Sequence, residues 1–196
     1  YKWLFGDRVE FIDIGNVEPK GKIEQYPQRS YSRFSLDSDE KLAKIAKALT
    51  VGSKVITYKS KQEEFNAVAT FGATEGLDMF KGENIAVIGT PHVNPITYIL
   101  LANALGKKPR CNDTRTTMQY TKVKRNGYEF YFNTFSNDES LREIQLFLIE
   151  SELIQAVGRA RILRNNCTVK VLSNLPLQGA EFSYLTKQEI ESILTA

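Results

Sequence analysis

Three short runs rich in β-branched residues, KVITY at 54–58, NIAVIGT at 84–90 and CTVKVLS at 167–173, constrain the fold more than any other feature of this chain. The first two are apolar nearly throughout, as strands buried on both faces of a sheet must be, and the third alternates. Helical patterns lie between them. SDEKLAKIAKALTVG puts Leu42, Ile45, Ala46 and Leu49 on one face, with Ser38 or Asp39 placed to cap its start and Gly52 to end it. PITYILLANALG has Pro95 in its first turn and Gly106 past its end. DESLREIQLFLIESELIQAVGRARI reads as helix in two pieces, KQEEFNAVAT as a short helix or turn, and LTKQEIESIL as a last helix with Thr186 and Glu189 spaced as a capping box. Helices alternating with buried strands define an α/β domain with a mostly parallel sheet covered on both faces. Residues 1–34, with extended patterns at RVEFIDI and GKIEQYP, read as an N-terminal strand and connector leading into a domain at 35–196.

One segment departs from that alternation. TTMQYTKVKRNGYEFYFNTF carries Asn126-Gly127 between two alternating runs, the signal for a two-residue hairpin, here inserted at 114–135. Lys122, Lys124 and Arg125 put positive charge at its turn, where nucleic-acid phosphates could be met. Tyr128, Phe130 and Phe132 alternate on one face and Tyr131 lies on the other; such rings either stack on splayed bases or only pack the hairpin onto its own domain.

Composition narrows the classes without choosing among them. At 42% hydrophobic and 25% charged, the composition is ordinary for a soluble globular protein, and the length of 196 residues suits one substantial core or one domain plus an extension. A net charge of +3 permits an acidic partner without demanding one. Cys111 and Cys167 form no CxxC pair and His92 is the single histidine, which excludes the common zinc spacings and a disulfide framework and implies a reducing compartment. His92, after Thr90 and Pro91, reads as a structural loop residue. No apolar run approaches the roughly 20 residues of a membrane span. The chain opens without Met inside a pattern, YKWLFGD, so it is expected to be cut from a longer intracellular polypeptide, cytoplasmic or nuclear. Its Lys, Asn and Ile content suits an AT-rich genome such as that of a virus or mobile element.

The chemistry centres on ELIQAVGRARILRNNC, where Arg159 and Arg161 stand at the junction of a helix and a strand. An arginine near a core needs an anionic partner, and a guanidinium forks well across two phosphoryl oxygens. Residues two apart do not share a helix face, so one arginine could reach a reacting phosphate while the other holds the helix or the nucleotide. The glycine loop GATEGLD and this arginine helix are expected at an edge of the sheet, where ligands bind beyond the carboxyl ends of strands. Each piece also has a plainer reading: Gly158 as a tight helix contact, Arg159, Arg161 and Arg164 as a solvated basic face, Asp78 as a turn or cap residue.

QAVGRAR resembles motif VI of superfamily 2 helicases, in the Gln-x-x-Gly-Arg-x-Arg form of Dicer-type helicases and antiviral RNA sensors. ATFGATEGLD is similar to motif V of that family and KVITYKS to motif IV, while GKIEQYP and the first amphipathic helix occupy the place where the family's second RecA-like domain begins. The resemblance runs over roughly residues 22 to 175 in the family's order. It implies a RecA-like C-terminal domain of an ATP-dependent helicase or translocase on DNA or RNA. Arg159, Arg161 and Gln155 would then serve catalysis at ATP, with Gln155 close to the terminal phosphate or its water. Gly76, Asp78 and Gly158 would line the nucleotide, Asp78 accepting from a ribose hydroxyl or pairing with a motif VI arginine. Thr70, Ser60, Lys122, Lys124 and Arg125 would meet nucleic acid. Ile162 stands where DEAD-box and flaviviral relatives carry the last arginine, so Arg161 fills that role in the Dicer-like spacing, with Arg164 the alternative. The interval between motifs IV and V is shorter than the family's, and the hairpin stands where flaviviral and archaeal relatives have a strand-separating wedge.

A phosphate-binding loop, Gly-x4-Gly-Lys-Ser/Thr, and an acidic strand end are missing. GNVEPKGKI has one residue too many between its glycines and Ile23 where a Mg²⁺-binding hydroxyl is needed; DSDE at 37–40 reads as helix capping. The resemblance therefore implies one wall of a site for ATP with Mg²⁺, the metal and the other wall coming from an N-terminal RecA-like domain of the same polypeptide. Two other classes stay open: a helicase-fold nucleic-acid sensor or scaffold without processive unwinding, and a stand-alone α/β module gripping another anion such as a sugar phosphate.

Overall fold

The computed structural model describes residues 10, 12, 17–74, 76, 78–107 and 118–195. Most of RVEFIDI, Cys111 and the first residues of the expected hairpin insertion lie outside them. Strands β1 (Lys22–Gln25), β2 (Lys54–Thr57), β3 (Ala69–Thr70), β4 (Ile85–Ile88), β7 (Thr168–Leu172) and β8 (Glu181–Phe182) form one six-stranded sheet in the order β3-β2-β4-β7-β1-β8. Every pair in it is parallel. Strands β5 (Met118–Arg125) and β6 (Tyr128–Phe135) make a separate antiparallel hairpin. The helices are α1 (Arg33–Ser38), α2 (Glu40–Leu49), α3 (Pro95–Ala104), α4 (Glu139–Gly158) and α5 (Lys187–Thr195). The chain is thus an α/β protein with a parallel sheet flanked by helices.

The two-residue period of the strands sorts the core into two layers. Ile56, Ile85, Val87, Val169 and Val171 are buried on the face covered by α4, against Leu146, Ile149, Leu153 and Ala156. Val55, Ala86, Ile88 and Leu172 are buried on the other, beneath Leu42, Ile45, Ala46 and Leu49 of α2. Lys170 is the polar exception, and its ammonium donates to the Leu49 carbonyl at 2.7 Å, satisfying a group that the end of α2 leaves unpaired. Asp39, not Ser38, caps α2 by accepting from the Lys41 and Leu42 amides. The Thr186–Glu189 capping box forms in both directions.

Where two helical pieces were expected after Asp138, α4 is a single helix of 20 residues. No glycine or proline interrupts it before Gly158, and Leu141, Gln145, Leu146, Ile149, Leu153 and Ala156 keep one face buried from end to end. β1 lies inside the sheet, between β7 and β8. Its last residue, Gln25, is fully buried; the side-chain amide donates to the Ser173 and Leu175 carbonyls and accepts from the Leu177 amide. The hairpin turns on Asn126 (φ 51°) and Gly127 (φ 84°), the pair of positive φ values that a two-residue turn matching strand twist requires. Val123 and Phe132 bury the hairpin against the α4 layer. A smaller cluster of Tyr98, Ala102, Phe135 and Leu141 joins α3, the hairpin base and α4. Among the described residues no helix is long and apolar enough to cross a membrane.

Candidate functional site

Gly72 and Gly82 are each tied to the carboxyl-terminal part of α4 or to the turn after it. The Gly72 amide donates to the Glu152 carboxylate of α4 at 2.7 Å, and the Gly82 amide donates to the Ala160 carbonyl at 3.0 Å. Between those ties, Asp78 opens a 3₁₀ turn (Asp78–Phe80) whose Phe80 is fully buried. Arg159 caps α4, and Arg161 follows at φ +54°, a left-handed conformation uncommon outside glycine that turns the chain toward β7. The amides of Arg164 and Asn165 both bond the Arg161 carbonyl and fix that turn. The Arg161 guanidinium pairs with the Asp78 carboxylate on open surface, joining positions 83 residues apart.

This places the pair differently from the expectation that the arginines ride a helix at the carboxyl ends of the strands. Arg161 has left the helix, and the pair sits by the amino ends of β2, β4 and β7. Lys54, which opens β2, donates to the Met79 carbonyl at 2.7 Å and pairs with Glu83 at 3.2 Å. The reason is topological. In a parallel sheet each connection returns to the amino side before the next strand begins. Asp78 ends the return from β3 to β4, and Arg161 ends the return through α4 to β7.

Arg159 is half-buried, and its Nε has no hydrogen-bond acceptor among the described residues; the buried hydroxyl of Thr74 is likewise without a partner. Leaving such a group unmet costs about 1–3 kcal/mol. Both fall on the two segments just described. Gln155 is half-buried in the last turn of α4. Gly158 is exposed and a Cβ there would touch nothing within 4 Å, so a tight helix contact does not explain it. Gly76 takes φ +71°, again facing open space. Arg164 is exposed.

Thr70 and Ser60 lie apart from this group. Thr70 ends β3 and is buried; Ser60 is exposed in the 3₁₀ turn Lys59–Lys61 that follows β2. Both therefore mark the carboxyl edge. The hairpin residues are spread differently again. Lys122 is exposed and paired across the strands with Glu129 at 2.5 Å, and Lys124 is exposed. Arg125 is held by α4: Nε and Nη2 reach the Glu150 carboxylate at 2.9 and 2.6 Å, and Nη1 reaches Glu143 at 3.0 Å. The Asn126 amide donates to Glu150 at 2.6 Å and to the Pro176 carbonyl at 2.9 Å. Glu150 carries no sequence signal of this role, because its partners lie 25 and 24 positions away.

His92 is structural in its surroundings. Its ring stacks on Phe132, Nδ1 lies 3.2 Å from the Gln145 amide nitrogen, and burial pushes its pKa down to about 4. Burial pushes the Cys167 thiol up, away from reactivity. Among the described residues no three His, Cys, Asp or Glu side chains gather as a metal site. No family model matches the chain, and neither a curated protein nor a solved structure matches it.

Proposed function

We propose that this chain is the arginine-bearing wall of an ATP site, folded as the second RecA-like domain of a superfamily 2 helicase or translocase acting on DNA or RNA. The meeting of Asp78 and Arg161 on open surface carries the reading, because two segments far apart in sequence and separately similar to motifs V and VI converge there. The parallel sheet and the orphaned Arg159 Nε support it.

In hydrolysis, water attacks the γ-phosphorus, the bond to the β–γ bridging oxygen breaks, and ADP and phosphate leave. Negative charge spreads over the γ-phosphoryl oxygens meanwhile, and fixed guanidinium groups stabilise it. Arg161 exchanges the Asp78 carboxylate for the phosphoryl group. Arg159 donates from the α4 end, and Gln155, one turn earlier, orients the water. Gly76 and Gly158 leave the approach clear of side chains. Mg²⁺ and the phosphate-binding loop belong in this reading to a companion N-terminal domain.

Replacement in the polypeptide that carries both halves tests it. Arg161→Ala and Arg159→Ala are each expected to lower kcat by about 10³–10⁵-fold, the scale of an arginine finger, with ATP affinity changed far less. Arg164→Ala is expected to stay near wild type. Residues 1–196 alone are expected to show no turnover. Unchanged kcat in both arginine variants, or robust ATPase from the lone chain, would overturn the assignment.

A further inference from the structure

The hairpin leaves one long backbone edge open. Its two-residue turn makes Arg125 and Tyr128 a hydrogen-bonded pair, and bonded and non-bonded pairs alternate along an antiparallel ladder. The N–H and C=O groups of Tyr120, Lys122 and Lys124 therefore point out of β5, away from β6, and those of Glu129, Tyr131 and Asn133 point out of β6. The β6 side is covered. The Tyr131 carbonyl accepts from the Asn174 amide at 3.4 Å, and the Asn133 carbonyl accepts from the Gln145 amide at 3.0 Å. Among the described residues, no hydrogen bond other than those from β6 reaches the backbone of β5. β5 is eight residues long, whereas β3 and β8, the edges of the six-stranded sheet, have two each. An edge of two residues offers little to pair with; an open edge of eight is a template for another strand.

What pairs there is set by the flanking side chains. Tyr120, Lys122 and Lys124 are exposed and, as alternate residues, share one face. Lys122 reaches Glu129 across the ribbon with both side chains more than half exposed, and Lys124 forms no ion pair among the described residues. An added antiparallel strand sets its residues directly opposite these three, so carboxylates on it meet ammonium groups. A second copy of β5, centred on Lys122 or Val123, would set lysine against lysine and be repelled. The other face of the added strand lies on the side of Val123 and Arg125, toward α4. Glu143 and Glu150, which hold Arg125, flank Phe147 at helical spacing, and Phe147 is 59% exposed. A strand alternating acidic with apolar residues thus meets lysines on one face and this ring on the other.

We infer that β5 is a docking edge for an extended segment of a partner protein, one that alternates acidic and apolar residues and joins the hairpin as a third, antiparallel strand. Such docking needs neither the Asp78–Arg161 pair nor a nucleotide, and it stands or falls apart from the ATP reading.

The test uses the 196-residue chain and a labelled peptide of alternating glutamate and valine, blocked at both ends and matched to the length of β5. Fluorescence anisotropy gives its affinity, and amide hydrogen exchange followed by NMR gives its place. The peptide is expected to slow exchange at Tyr120, Lys122 and Lys124 and to leave Thr121 and Val123, already bonded to β6, little changed. Lys124→Glu is expected to weaken binding about 2- to 30-fold, the effect of exchanging an attractive cross-strand pair for a repulsive one. Two control peptides are expected not to bind at about 1 mM. One alternates lysine with valine; the other keeps its charge but is N-methylated at the glutamates, which removes the donors facing β5.

Binding without slowed exchange at those three amides, or undiminished binding after N-methylation, shows attraction to surface charge alone and refutes the docking edge. So does absence of binding by the glutamate peptide at about 1 mM. Slowed exchange that follows protein concentration without peptide gives the edge to a second copy. Slowed exchange with single-stranded oligothymidylate and not with the peptide gives the lysines to phosphates. Either result overturns the proposal.

Discussion

Glu150 gives a sharp test of how the hairpin is held. Its two carboxylate oxygens divide the work, one taking Arg125 Nε and Nη2 and the other the Asn126 amide. The side chains of Arg125 and Glu150 are 22% and 12% exposed, whereas Glu143, the second partner of Arg125, is 53% exposed. Hydrogen bonds to a charged group contribute about 1.5–3 kcal/mol each, but Arg125 keeps Glu143 and partial hydration when Glu150 is removed. We therefore expect Glu150→Ala to cost about 2 kcal/mol and to lower Tm by about 4–8 °C in a chain of this size. Glu143→Ala, which breaks an exposed pair, should cost under about 0.5 kcal/mol. Denaturant unfolding of both variants and of Arg125→Ala closes a double-mutant cycle, with coupling between Arg125 and Glu150 of at least about 1 kcal/mol. Amide exchange at Val123, Phe130 and Phe132 should rise in Glu150→Ala before global unfolding does. Equal costs for the two glutamate variants, or coupling below about 0.5 kcal/mol, would show that the hairpin is held by its apolar face alone.

Gly158→Ala separates fold from function. The site has helical backbone and open space, so alanine is expected to stabilise the chain by up to about 1 kcal/mol, read by denaturant titration. In the full polypeptide the same change is expected to weaken ATP binding, because a methyl group enters the proposed approach of the nucleotide; unchanged KM would remove Gly158 from the site. His92 sets a pH dependence. Its folded pKa near 4 lies below the unfolded value of about 6.5, so between those pH values the unfolded chain binds the extra proton and stability falls as pH falls. We expect about 2 kcal/mol less stability at pH 5 than at pH 7 from this group, a slope that His92→Asn removes; a wild-type curve flat from pH 7 to 5 would contradict the buried, neutral ring.

Strong local patterns were readable from the residues alone. The apolar run of β4 cannot be solvated on either face, the Asn126-Gly127 pair fits only a tight turn, and the Thr186–Glu189 spacing declares a helix start. The continuity of α4 was less legible, because polar Glu150, Ser151 and Glu152 interrupt the apolar pattern locally. Two of these three are the residues that hold Arg125 and Gly72, so the interruption carries tertiary contacts instead of a helix break. α1 and β8, six and two residues long, are too short to show a period. Arg161 shows the limit most clearly. Its pattern marks it as chemically interesting, but its left-handed backbone and its meeting with Asp78 follow from the return path of a parallel sheet, which no local window contains.

The three groups of residues singled out by chemistry share one support. α4 ends in Arg159 and the turn to Arg161 at the amino edge. Two turns earlier, Glu152 holds the Gly72 amide just past Thr70, where β3 reaches the carboxyl edge. Half a turn before that, Glu150 holds the hairpin through Arg125. Movement of one such element relative to the others would have to bend a helix whose buried face runs unbroken from Leu141 to Val157. Coupling between the two edges of the sheet would require α4 to shift as a unit with its ties at Glu150 and Glu152 kept, which makes those two carboxylates the place where it would fail first.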